Sequence, residues 1–131
     1  MSNVPPELRY TRTHEWLRAL PDGSLEIGIT HHAQEALGDL VFVEVPEAGR
    51  TLKAGESFAV VESVKAASDV YAPIAGTVTG GNPKLAGEPE TVNSDPYGAG
   101  WLMRLRPVEG AALTGLMSAA EYENLLATES E

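Results

Sequence analysis

Val60-Val61-Glu62-Ser63-Val64-Lys65-Ala66-Ala67-Ser68-Asp69-Val70-Tyr71-Ala72-Pro73 is the stretch whose reading decides the fold. Two apolar runs of strand character flank a break of small residues, Lys65-Ala66-Ala67-Ser68. The pattern predicts a hairpin over residues 60–72, with the Lys65 amine held out in water at its tip. Such an amine is either an ordinary solvated charge, since an ammonium is costly to bury, or the anchor of a covalent prosthetic arm. Lys65 and its neighbours leave both open.

Working outward, the chain reads mainly as β. Arg9 to Leu20 is expected to be one early strand. Pro21-Asp22-Gly23-Ser24 is a turn, proline presetting its φ and glycine free to take a positive one. Leu25 to Ile29 alternates as the return strand. Thr30 is placed to cap a short helix over 31–37 that Gly38 ends. Leu40 to Val45 is expected as a strand with Val41, Val43 and Val45 on one face, and Phe42 and Glu44 on the other. Residues 80–100, rich in Gly, Pro, Asn and Asp, read as loop. Trp101 to Arg106 is a last strand, with Trp101, Met103 and Leu105 sharing a face. Ser118-Ala119-Ala120-Glu121 has the form of a capping box. It opens a helix over about 118–127 whose stripe is Ala119, Tyr122, Leu125 and Leu126. Residues 1–131 are expected to form a single domain.

Composition removes several function classes. Nine basic side chains against nineteen acidic ones give a net charge of -10. Phosphate backbones need a basic face, so nucleic acid is not the expected partner. The apolar runs are short and broken by charges, so no membrane span is expected. The start, Met1-Ser2-Asn3-Val4-Pro5-Pro6-Glu7, has neither a basic segment leading an apolar one nor an arginine-rich character. It is read as bacterial-type and cytoplasmic, or as a mature mitochondrial matrix chain. With no cysteine, disulfides, thiolate zinc sites and thiol nucleophiles are excluded. Sulfur chemistry, if any, must come from a cofactor. His31 and His32 are adjacent and diverge by about 100° on a helix, and no His-x-x-x-His spacing exists, so no metal site is expected. Gly80-Gly81-Asn82-Pro83-Lys84 lacks the phosphate-loop spacing and carries a proline where N–H donors are needed. No hydrolase nucleophile motif occurs. A carrier or binding module, not an enzyme, is the better reading.

Several blocks together resemble the glycine cleavage system H-protein family. They are Tyr10-Thr11-Arg12-Thr13-His14-Glu15-Trp16, Ala33-Gln34-Glu35-Ala36-Leu37-Gly38-Asp39, Val61-Glu62-Ser63-Val64-Lys65-Ala66-Ala67-Ser68-Asp69, Val92-Asn93-Ser94-Asp95-Pro96-Tyr97-Gly98 and Gly100-Trp101-Leu102. The likeness runs from about Arg9 to Leu126. It implies a lipoyl/biotinyl-type barrel-sandwich hybrid and lipoic acid joined to Lys65 by an amide, with Glu62 and Ala66 as the context recognised by lipoyl-attaching enzymes. The partners it implies are a pyridoxal-phosphate glycine decarboxylase, an aminomethyltransferase and a dihydrolipoyl dehydrogenase. This carrier, expected as a monomer, would bring the aminomethyl group of glycine from the first to the second and electrons to the third. A tethered group meets each active site at a raised local concentration. Matching positions imply an arm-binding cleft of Thr13, Glu15, Leu37 and Asp69. Some members have histidine where Ala36 stands, so protection of the arm is looser here or achieved otherwise. Two alternatives stay open: a lipoyl carrier or relay for 2-oxo acid dehydrogenase complexes, and an unmodified interaction domain in which Lys65 is simply solvated.

Overall fold

The computed structural model describes residues 4–108 and 116–129. The ends of the expected span 1–131, and the stretch 109–115, lie outside the described residues. Nine strands and four helices follow in order: β1 (Arg9–Tyr10), β2 (Glu15–Ala19), β3 (Leu25–Ile29), α1 (His31–Leu37), β4 (Leu40–Glu44), β5 (Thr51–Leu52), β6 (Ser57–Ser63), β7 (Ala67–Tyr71), β8 (Gly76–Gly81), α2 (Lys84–Gly87), α3 (Thr91–Ser94), β9 (Met103–Pro107) and α4 (Ala119–Glu129), counted among the described residues. One antiparallel sheet has the order β1-β2-β3-β9-β8-β5, the other β4-β6-β7. Inward side chains of both make the main core, including Ile27, Val61, Leu102, Met103 and Leu105. Burying such apolar surface is what drives the two sheets together.

A second cluster, Leu8, Tyr10, Trp16, Ala119 and Tyr122, fastens α4 to β1 and β2. The Tyr10 and Tyr122 rings stack with centroids 4.7 Å apart. The capping box is formed: Ser118 N–H donates to Glu121 Oε1 at 2.8 Å, and Glu121 N–H to Ser118 Oγ at 3.2 Å. Thr30 caps α1 through the Ala33 N–H, and Gly38 ends it at φ 87.

Five expectations change. The early strand Arg9 to Leu20 is two strands, because Thr11–His14 makes a turn. His14 N–H bonds the Thr11 carbonyl, and His14 itself takes φ 70, a left-handed conformation that histidine tolerates better than most residues. The Leu25–Ile29 strand does not alternate between core and solvent: all five residues are buried. Its polar face is covered by the second cluster and by Arg18 and Arg104, each 3.0 Å from Glu26. In β4, Leu40 faces Ser63 and Phe42 faces Glu62, so Val41 is the extra residue of a bulge and points to solvent, away from buried Val43. Within 80–100 two four-residue helices bury Leu85 and Val92. Elements so short show no periodicity to read. Trp101 belongs to the loop before β9, since Asn82 Nδ2 holds the Ala99 and Trp101 carbonyls at 2.8 and 2.9 Å. It packs with the second cluster, while Met103 and Leu105 enter the first.

Candidate functional site

The hairpin forms where it was expected. β6 and β7 pair from Ser57 opposite Tyr71 to Glu62 opposite Ala67. Ser63-Val64-Lys65-Ala66 closes the tip, with Ser63 N–H donating to the Ala66 carbonyl at 2.8 Å. Val64, Lys65 and Ala66 are exposed. Among the described residues no carboxylate pairs with Lys65.

The lysine stem lies beside the end of α1. A Cβ built on Gly38 would stand 3.4 Å from Lys65 Cε and 3.9 Å from its Nζ. A Cβ there would meet the stem at ordinary van der Waals distance, so what calls for glycine at this position is the positive φ that ends the helix. Asn93 fixes this end of α1. Its Nδ2 donates to Gln34 Oε1 and to the Gly38 carbonyl, both at 2.9 Å, and its Oδ1 accepts from Leu40 N–H at 2.8 Å. One side chain thereby ties α1, β4 and α3 together next to the tip.

The other candidate residues separate into groups. Glu15 and Thr13 meet: the Thr13 hydroxyl donates to Glu15 Oε1, as does the Thr11 hydroxyl at 2.5 Å. Glu15 Oε2 accepts from Tyr71 N–H at 3.3 Å. Glu15 is only 2% exposed, so it is not an ordinary surface acid. It lines an open cleft of about 470 Å³ together with Thr11, Thr13, Tyr71, Ile74 and Leu116. Asp69 stands two residues nearer the tip on β7, exposed, bonded to Ser57 Oγ at 3.3 Å. Leu37 does not line this cleft. It packs on the main core at the end of α1, on the lysine side. Glu62 is half-buried in β6 between Phe42 and Ala67. Ala36 is exposed on α1. Thr11, Tyr71, Ser63 and Asn93 were not among the expected site residues. Thr11 was findable as the partner of Thr13 around a turn before Glu15. Tyr71 acts through its backbone N–H, Ser63 through bonds to the backbone of its own turn, and Asn93 through contacts more than fifty residues away.

A family model described as Glycine cleavage H-protein matches residues 8–129. The chain belongs to the glycine cleavage H-protein family. It is similar to the glycine cleavage system H protein of Halorhodospira halophila, 62% identical over 129 residues that cover 98% of this chain and 99% of the relative. The H protein of Neisseria gonorrhoeae is 60% identical over 121 residues, covering 92% and 91%. Among solved structures, the H protein of Mycobacterium marinum superposes with a TM-score of 0.86 at 44% identity, covering 95% of this chain and 99% of that one. The two sheets are thus those of the lipoyl-type barrel-sandwich hybrid.

Proposed function

We propose that this chain is the lipoylated carrier of the glycine cleavage system, with lipoic acid in amide linkage to Lys65. The observation that carries the proposal is the tip itself: an exposed amine with no carboxylate partner among the described residues, on a bonded two-strand support and with its stem beside the end of α1. The site fits the group. The amine is accessible to an attaching enzyme, and the cleft offers apolar Ile74 and Leu116 beside the Glu15 carboxylate.

When bound, lipoic acid would supply a ring disulfide that is opened as it takes up the aminomethyl group at glycine decarboxylase, and, after that group leaves at aminomethyltransferase, a dithiol that dihydrolipoyl dehydrogenase reoxidises. The residues of this chain supply the rest. β6 and β7 hold the root of the arm. Glu62 and Ala66 flank Lys65 where the attaching enzyme must read the chain. Four steps of β7, about 13 Å at the usual strand rise, separate Ala67 from Tyr71, which leads from the tip to the cleft. Asp69 lies on that path and Glu15 at its end. An ammonium on the arm meets carboxylates there, as a charge-assisted bond in a site partly shielded from water. Thr13 orients Glu15, and Leu37 gives the start of the path an apolar side.

The test is the intact mass of the protein from its native source, mapped to Lys65, followed by incubation with glycine and purified glycine decarboxylase. The expected results are one lipoyl increment on Lys65, glycine-dependent reduction of that group, and loss of both in Lys65→Arg. An unmodified Lys65 in cells that lipoylate other proteins, or activity that survives Lys65→Arg, overturns the proposal.

A further inference from the structure

The tip of the β6–β7 hairpin is closed by a side chain where backbone is expected. In a tight antiparallel pair the two bracketing residues exchange both N–H to carbonyl bonds. Ser63 gives its N–H to the Ala66 carbonyl. Ala66 does not return its own to the Ser63 carbonyl. It donates instead to Ser63 Oγ at 3.2 Å, and the Lys65 N–H donates to the same oxygen at 3.3 Å. The Ser63 hydroxyl then donates to the Ala66 carbonyl at 3.3 Å. One hydroxyl accepts twice and donates once, and one of the bonds it accepts comes from the lysine's own amide.

The turn needs this help. Two-residue hairpin loops favour forms with positive φ, served by Gly, Asn or Asp, because those match the strand twist. Val64 and Lys65 are none of these. Among the described residues the single non-glycine residue with positive φ is His14, which is no part of this turn. Packing does not fix the tip either, since Val64 is 86% exposed. Serine hydroxyls that bond the backbone two and three residues on are a recognised way to hold a turn.

We infer that Ser63 is a positioning residue for the acylation of Lys65. The inference rests on the proposed carrier function. By pinning the Lys65 N–H, the hydroxyl sets the direction in which the Cα–Cβ bond leaves the tip, and with it the line on which the amine is offered. In the acylation, the Lys65 ammonium gives a proton to solvent and the amine attacks the carboxyl carbon of lipoyl-adenylate, made by a ligase from lipoic acid and ATP. A C–N bond forms, the C–O bond to phosphate breaks, AMP leaves, and a second proton passes to solvent. No oxidation occurs, and Ser63 touches none of the reacting atoms.

The experiment uses the unmodified chain with a lipoate–protein ligase, lipoic acid and ATP, read by intact mass at varied chain concentration. Wild type should gain one lipoyl group. Ser63→Ala should lower kcat roughly 10- to 100-fold, the scale of a misplaced reacting group, with KM little changed because the docking surface is intact. Ser63→Thr keeps the hydroxyl and should restore kcat. Amide exchange on the unmodified chain gives a reading that needs no enzyme: Lys65 and Ala66 N–H should exchange faster in Ser63→Ala and return to wild-type rates in Ser63→Thr. Ser63→Ala acylated at the wild-type kcat, a loss that Ser63→Thr does not repair, or unchanged exchange at both amides overturns the role of Ser63. Failure of wild type to gain mass on Lys65, while a control lipoyl domain is modified, instead overturns the carrier reading beneath it.

Discussion

Glu15 is the residue where structure and proposed function most nearly compete. Its carboxylate already serves three donors, the Thr11 and Thr13 hydroxyls and the Tyr71 N–H. The last of these lies on the edge of β7, where an unpaired N–H would otherwise be offered to other chains. Glu15 therefore closes a sheet edge and faces a cleft at the same time. Glu15→Ala leaves three donors without their acceptor and should destabilise the fold by about 1–3 kcal/mol, the cost of unsatisfied groups at a partly wet site. Denaturant titration measures this. Glu15→Gln keeps the side-chain size and one carbonyl acceptor, so its stability should fall less. In the lipoylated protein both variants should lose the aminomethyl load to water faster than wild type. If Glu15→Gln holds its load as long as wild type, Glu15 is an edge cap alone and the cleft does not protect the arm.

At the scale of elements, what could be read in the sequence required a local signal. The hairpin around Lys65, the Thr30 cap, the Gly38 stop and the Ser118-Glu121 box were legible because each rests on residues within a turn of one another. The Val41 bulge, the Thr11–His14 turn and the two short helices were not. The bulge follows from strand pairing and from Asn93, which holds Leu40 and Gly38 across more than fifty residues. The turn and the short helices are held by local bonds but are too short to show a period. The site divides the same way: Lys65 was visible from its turn, whereas the cleft needed β2 brought against β7. Gly28 shows how strict such remote demands are. It pairs with Trp16 across β2 and β3, and a Cβ there would stand 2.8 Å from the indole ring. The Trp16 Nε1–H meanwhile donates to the Pro96 carbonyl at 2.9 Å, so the ring is pinned and does not yield. Gly28→Ala should cost about 1–3 kcal/mol by overpacking, read as a lower melting temperature and a changed tryptophan emission. A neutral substitution would mean that the ring slides aside and that the second cluster is looser than its full burial implies.

For the whole molecule, that second cluster also sets an upper pH limit. Burial raises the Tyr10 phenol well above its ordinary value, and the nearby Tyr97 and Glu7 add to the shift. Burial raises Tyr97 as well, although the His31 N–H donating to its oxygen works the other way. Both phenols stay neutral in the fold at a pH where the same groups ionise in the unfolded chain. The unfolded state then holds fewer protons than the native state, so stability falls as pH rises. Below the ordinary tyrosine value of about 10 the contribution is complete, and it is lost as pH climbs from there toward the folded values. Denaturant midpoints should accordingly be insensitive to these tyrosines near neutrality and drop above pH of about 10. Tyr10→Phe separates this effect from general charge repulsion, which the acidic chain also suffers at high pH. The variant gives up the bond from the Tyr10 hydroxyl to the Pro5 carbonyl, 2.5 Å long, and should lose about 1 kcal/mol at neutral pH. Having no phenol to ionise at that position, it should lose less than wild type on going to high pH, so the two stability curves converge. Parallel curves would mean that Tyr10 takes no part in the alkaline transition and that repulsion among the carboxylates governs it.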